Sequence, residues 1–148
     1  MQLSPHFSDA ELAVIGVDPR IVQNATTLCV KLLEPIRDHF GCPLDVHDGY
    51  RDPAHNARVG GAPDSQHLYL DGDSAADFSL KFGSCQEAFD WIRLTSGLQF
   101  DQVIIETNPL GYASTLHISY NSGLAQQRRE ALSGETGGRS GYTLMQVN

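Results

Sequence analysis

The chain is poor in cysteine, in positive charge and in long apolar runs, and each shortage closes off a class of function. Its 148 residues include three cysteines, Cys29, Cys42 and Cys85, odd in number and widely spaced. With no Cys-x-x-Cys pair they build neither a disulfide framework nor a thiolate zinc cage. They read as reduced, buried thiols of a protein made in a reducing cytoplasm. Ten Lys+Arg against 18 Asp+Glu give a formal charge of -8. That argues against a nucleic-acid-binding stripe and against an anchor to anionic membranes. No apolar run approaches the ~20 residues of a membrane span, so no membrane insertion is expected. Met1 to His6 lacks a basic region followed by an apolar core, so no secretory signal peptide is expected. There is no internal repeat and no long linker. The length fits about one domain.

What is present reads as helices first and strands later. Ser8-Asp9-Ala10-Glu11 is a capping box and predicts a short helix. Asp18-Pro19 starts the longest one, with Val22, Ala25, Cys29, Leu32, Leu33, Ile36 and Phe40 at helical spacing up to Gly41. Pro35 lies inside it and should kink it or loosen one turn. Pro43 to Asp48 alternates as a strand, and 49–64, rich in Gly, Pro, Asp and Asn, reads as a long loop. Ala75 to Leu80 is a second strand. Ser84-Cys85-Gln86-Glu87 caps a further helix that ends before Gly97. Gln102 to Glu106 and Leu116 to Tyr120 are the clearest strands. A Gly/Ser-rich tail follows, with Tyr142 to Val147 as a late edge strand. The expected fold is α+β, a small, mostly antiparallel sheet packed with N-terminal helices. A single domain over 1–148 is expected, its core at about 3–130 and 131–148 a tail that could be flexible.

Among six histidines, two stand out by context. His67 closes the polar loop in Asp64-Ser65-Gln66-His67, and His117 lies inside an apolar strand. Asp77, in Ala75-Ala76-Asp77-Phe78, is a carboxylate among small and apolar neighbours, costly to bury unless paired or bound to a cation. Two imidazoles and a carboxylate from separate segments suit Zn²⁺, and three protein ligands leave a fourth position for water. Residue types alone leave the bland reading open, since two histidines and an aspartate occur in most chains of this size. Glu106 ends the strongest strand and could move a proton beside the metal; the alternative is an exposed strand-end glutamate. Arg51 could hold a substrate carboxylate with its planar fork; the alternative is a salt bridge to Asp48 or Asp52.

Taken together these segments resemble a known family. The run Gly49-Tyr50-Arg51-Asp52-Pro53, then Asn56, Val59-Gly60-Gly61-Ala62, Ser65-Gln66-His67 and Ala75-Ala76-Asp77-Phe78 is similar to the small zinc peptidases that cut bacterial cell-wall peptides. These are the D-alanyl-D-alanine carboxypeptidases and L-alanyl-D-glutamate endopeptidases, which share a metal architecture with lysostaphin-type peptidases and the hedgehog domain. Phe100 to Glu106, Leu116 to Tyr120, Leu3 to Ser8 and Leu33-Glu34-Pro35-Ile36-Arg37 fit the same pattern. The resemblance implies His67, Asp77 and His117 as Zn²⁺ ligands, Glu106 as general base, Arg51 as carboxylate anchor, and Ser65 and Gln66 as substrate-binding wall. The chain departs from the family at two places. His67 and Asp77 are ten residues apart, more than is usual, which leaves Asp71 and Asp73 as rival ligands. Glu106 lies farther before the last histidine than in relatives, and Thr115 stands where an aromatic is common.

The resemblance implies hydrolysis of a peptidoglycan stem peptide by a monomer of phage-endolysin type. An L-alanyl-D-glutamate endopeptidase is preferred. The alternatives are a D-alanyl-D-alanine carboxypeptidase and a zinc-bearing binding module without catalysis. A phage structural or interaction domain is the third class. The expected history is synthesis in the cytoplasm and action on the wall, in the periplasm, after release or dedicated export.

Overall fold

The computed structural model describes residues 1–138 and 141–148. Six strands form a mixed sheet: β3 (Leu44–Asp48), β4 (Asp73–Leu80), β5 (Gln102–Thr107), β6 (Ala113–Asn121), β7 (Glu130–Glu135) and β8 (Tyr142–Met145), in the order β3-β4-β6-β5-β7-β8. Every adjacent pair is antiparallel except β5 and β7. Two short strands, β1 (Gln2–Ser4) and β2 (Phe7–Ser8), pair separately. The fold is α+β, as the sequence reading expects.

Cross-strand register sorts the side chains onto two faces, because successive residues of a strand point opposite ways. Val46, Phe78, Leu116 and Ile105 lie in one row, with Ala76, Ile118, Val103 and Ala131 in the next. All but Val46 are buried, and Val46 packs against the core they form. Helices cover this face: α1 (Pro19–Leu28) against β4 and β6, and α4 (Cys85–Leu94) against β5 and β6. The neighbouring row on the other face is Asp77, His117, Ile104 and Leu132. Asp77, His117 and Ile104 of that row line a cavity.

The predicted long helix is realised as α1, one π-type turn at Cys29–Leu33, and α2 (Glu34–Phe40). Pro35 has no N–H to offer the carbonyl four residues back. The chain widens instead, and Glu34 N–H donates to Cys29 O, five residues back. The helix stops at Gly41, whose φ of 61° is left-handed. Ala25, Leu28, Cys29, Leu32, Leu33 and Ile36 keep the helix buried through the wide turn. The three cysteines are free and buried. Burial pushes the Cys29 thiol up to about 12, with Glu34 adding to the effect.

Three local expectations are corrected. The capping box at Ser8 forms, with Ser8 N–H donating to Glu11 Oε1 at 3.1 Å and Glu11 N–H to Ser8 Oγ at 3.3 Å, but only turns follow it. Leu12 and Val14 are both buried, and residues two apart cannot share one helix face; the chain reverses at Ala13, with φ of 60°. The long loop holds a short helix, α3 (Pro53–Arg58), because Asp52 Oδ1 accepts from His55 N–H and Pro53 is preset at the first position. Residues 131–135, read as the start of the tail, belong to β7 and pair in parallel with β5. Their Ser, Gly and Glu give no alternation to read, and the backbone ladder holds them. Tyr142–Met145 is the expected edge strand.

The two-faced sheet makes a direct prediction. Leu116→Ala, fully buried on the helix side, should lower stability by about 2–5 kcal/mol. Leu144→Ala, 71% exposed on the edge strand, should change it by less than about 0.5 kcal/mol. Urea unfolding measures both; equal effects would contradict the assignment of faces.

Candidate metal centre

Asp77 and His117 face each other directly across β4 and β6. Opposed residues of an antiparallel pair have Cβ atoms only about 4.5–5.5 Å apart, so pairing alone brings the two together. His117 Nδ1 lies 3.0 Å from Asp77 Oδ1. His67 arrives from a single 3₁₀ turn, Gln66–Leu68, which Ser65 caps by accepting from His67 N–H at 3.2 Å. Tyr69 ends that turn in left-handed backbone, and its hydroxyl donates to Ala75 O at 2.7 Å, pinning the turn onto β4. His67 Nε2 then lies 3.3 Å from the same Asp77 oxygen.

The far side of the His67 ring is fixed by Gly49 O, 2.7 Å from Nδ1. A carbonyl only accepts, so Nδ1 carries a hydrogen, and Nε2 is the nitrogen turned to Asp77, donating to it when the ring is protonated and open to a cation when the ring is neutral. Gly49 is needed there: a Cβ would stand 2.5 Å from Leu12 O. One donor atom each from His67, Asp77 and His117 lies within 4.8 Å of the others. Both imidazoles are almost wholly buried.

Burial alone would raise the Asp77 carboxyl, but hydrogen bonds to His117 and His67 outweigh it and hold the group well below the usual carboxylate range. His67 shows the reverse balance. Burial favours its neutral form, and the Asp77 carboxylate overcomes this and moves its pKa upward. Arg51 Nη2 stands 3.9 Å from Asp77 Oδ2, while Arg51 Nε donates to Asp48 Oδ2 at 2.6 Å and Nη1 to Asn56 Oδ1 at 3.3 Å. The salt bridge to Asp48 considered from sequence is therefore present, and Asp52 instead caps α3.

The group sits in a cavity of about 1040 Å³, whose wall includes Arg51, Ser65, Gln66, His67, Asp77, Glu106 and His117, every site residue named from sequence. Glu106 pairs with Thr115, two residues along the strands from the Ile104–His117 pair, so it shares the His117 face. Asp73 also borders the cavity, but it accepts from Asn121 Nδ2 at 3.0 Å, and Asp71 lies in a turn with φ of 52°. Neither joins the two imidazoles; the structure brings Asp77 to them. Gln66 does not simply line the wall. Its amide meets His117 Nε2 at 2.8 Å and Asp101 Oδ2 at 3.1 Å. Sequence reasoning passed over Asp101, Arg128 and Tyr142, which also border the cavity. Arg128 and Tyr142 lie in segments that carry no apolar pattern to mark an inward face.

Two imidazoles and a carboxylate, buried together around one point and braced from behind, are a donor set that fits a divalent cation. Residues 5–107 match the family model described as peptidase M15. The chain belongs to the peptidase M15 family. It is therefore a metallopeptidase, and the His67, Asp77 and His117 cluster gives the metal a place to bind. His117 lies beyond the matched stretch, so its place rests on the β4–β6 register. No curated protein matches the chain.

The Gly49 carbonyl ties centre to fold. Gly49→Ala should cost roughly 1–3 kcal/mol of stability through its clash with the Leu12 backbone. Thermal unfolding of the metal-free protein tests this, and a wild-type midpoint would contradict the tight approach.

Proposed function

We propose that the chain is a zinc-dependent peptidoglycan hydrolase that cuts a stem-peptide bond, the L-alanyl-D-glutamate bond being preferred. The observation that carries the reading is the convergence of His67, Asp77 and His117 in a cavity whose wall also holds Glu106. His67, Asp77 and His117 would hold the ion. When bound, Zn²⁺ supplies a Lewis acid that acidifies water toward a pKa of ~7 and polarises the scissile carbonyl.

Glu106 takes the proton of the attacking water and delivers it to the departing amine. The peptide C–N bond breaks as the new C–O bond forms, leaving a carboxylate and an amine. Arg51, with Nη2 3.9 Å from Asp77 Oδ2, stands beside the donor set, and it steers a substrate carboxylate while its Nε stays on Asp48. Ser65, on the rim of the same wall, offers a hydroxyl to the peptide backbone. A cavity of about 1040 Å³ has room for a peptide of several residues. All these groups come from one chain, so a monomer suffices. The substrate places the work at the cell wall, in the periplasm, reached by release or dedicated export.

Glu106→Gln should keep its zinc while turnover of purified muropeptides falls by about 10²–10⁴-fold; undiminished turnover would remove Glu106 from the reaction. His67→Ala should lose the metal by elemental analysis, and a full complement would refute the ligand set. Mass spectrometry of the digest should show a released peptide starting at D-glutamate. Loss of one terminal alanine instead would make the enzyme a carboxypeptidase. Zinc retained by the wild-type chain without cleavage would make it a binding module.

A further inference from the structure

Gln66 stands between His117 and a buried acid. Asp101 is 2% exposed and is gripped by the Arg128 guanidinium, Nε to Oδ1 at 2.8 Å and Nη2 to Oδ2 at 3.0 Å. A carboxylate in such a grip only accepts hydrogen bonds. The Gln66 amide must therefore turn its NH₂ to Asp101 Oδ2, 3.1 Å away, and its carbonyl to His117 Nε2, 2.8 Å away. That carbonyl likewise only accepts, so a His117 hydrogen sits on Nε2. Nδ1 is the nitrogen turned to Asp77 Oδ1, 3.0 Å away, and it is the one that a cation shared with Asp77 would take in place of a hydrogen. The two imidazoles thus present different nitrogens to Asp77: His67 its Nε2, fixed by Gly49 O, and His117 its Nδ1, fixed through three side chains in series.

We propose that Gln66, oriented by Asp101 and Arg128, is a positioning residue that sets the tautomer and ring orientation of His117 and so controls how tightly the centre holds its cation. The proposal rests on the reading of His67, Asp77 and His117 as metal ligands. It gives Gln66 a role behind the metal rather than in front of the substrate. It also explains why a carboxylate is buried at Asp101, a position the hydrolysis itself does not use. The relay runs from Arg128, just ahead of β7, through Asp101, just ahead of β5, to the turn that carries His67. The late strand β7 thereby bears on the metal centre without supplying a ligand.

The test uses Zn²⁺ alone, titrated in competition with a chromophoric chelator. Gln66→Ala and the length-preserving Gln66→Met should each weaken binding by about 10–100-fold, the usual range for loss of a partner behind a metal ligand. Asp101→Asn, which lets the amide turn either way, should also weaken it. Unfolding of the metal-free Gln66→Met protein should match wild type, separating a loosened ligand from a loosened fold. In the zinc-loaded wild-type protein, long-range ¹H–¹⁵N correlations should show His117 with its hydrogen on Nε2, slowed in exchange, and this protection should vanish in Gln66→Met. Wild-type zinc affinity in Gln66→Met, or coordination of His117 through Nε2, would overturn the relay while leaving the metal centre standing. A wild-type chain that takes up no zinc would overturn both.

Discussion

One cross-strand pair governs this molecule. Asp77 opposite His117 puts a carboxylate and an imidazole on the same face of adjacent strands at a separation set by the backbone. A slip of one residue between β4 and β6 would send one of them to the helix side, where Phe78 and Leu116 now sit. The apolar row therefore holds the polar row in register. Burying Phe78, Leu116, Ile105 and Ile118 on the helices leaves Asp77 and His117 nowhere to point but the cavity. His67 completes the set from outside the sheet, where a single capped turn, the Tyr69 hydroxyl and the Gly49 carbonyl fix it.

The same pairing explains the electrostatics. A carboxylate shared by two buried imidazoles is strongly stabilised in its charged form, against the cost of leaving water. Such a group in a chain without thiolate pairs points to a hard or borderline cation bound by nitrogen and oxygen. Arg51 adds a positive charge on the far side of Asp77, anchored in turn by Asp48. The cluster is thus a chain of alternating charges and dipoles, and that order keeps each side chain in one orientation.

Much of this was legible in the sequence, for reasons that can be named. The strands carrying Asp77, Glu106 and His117 alternate cleanly, and Asp77 is conspicuous among alanines. Pro35 announced a disturbed helical turn, and the chain answered with a widened one. Other features had no local signature. β7 is held by pairing with β5 rather than by its own Glu-Ala-Leu-Ser-Gly-Glu pattern. The capping box at Ser8 formed its hydrogen bonds, yet Leu12 and Val14 both needed burial and no helix could grant it. Strand register, which spacing along the chain does not encode, puts Asp77 rather than Asp71 or Asp73 beside the two imidazoles. Gln66 and Asp101 acquire meaning only in three dimensions, because residues far apart in sequence share one hydrogen-bonded line.

The central claim is that His67, Asp77 and His117 surround one cation and leave a vertex for solvent. X-ray absorption at the zinc edge, on protein loaded with one ion per chain, addresses it most directly. The account predicts nitrogen and oxygen scatterers at about 2.0–2.2 Å with the outer-shell pattern of two imidazoles. A shell of oxygens alone, or sulfur at about 2.3 Å, would contradict it.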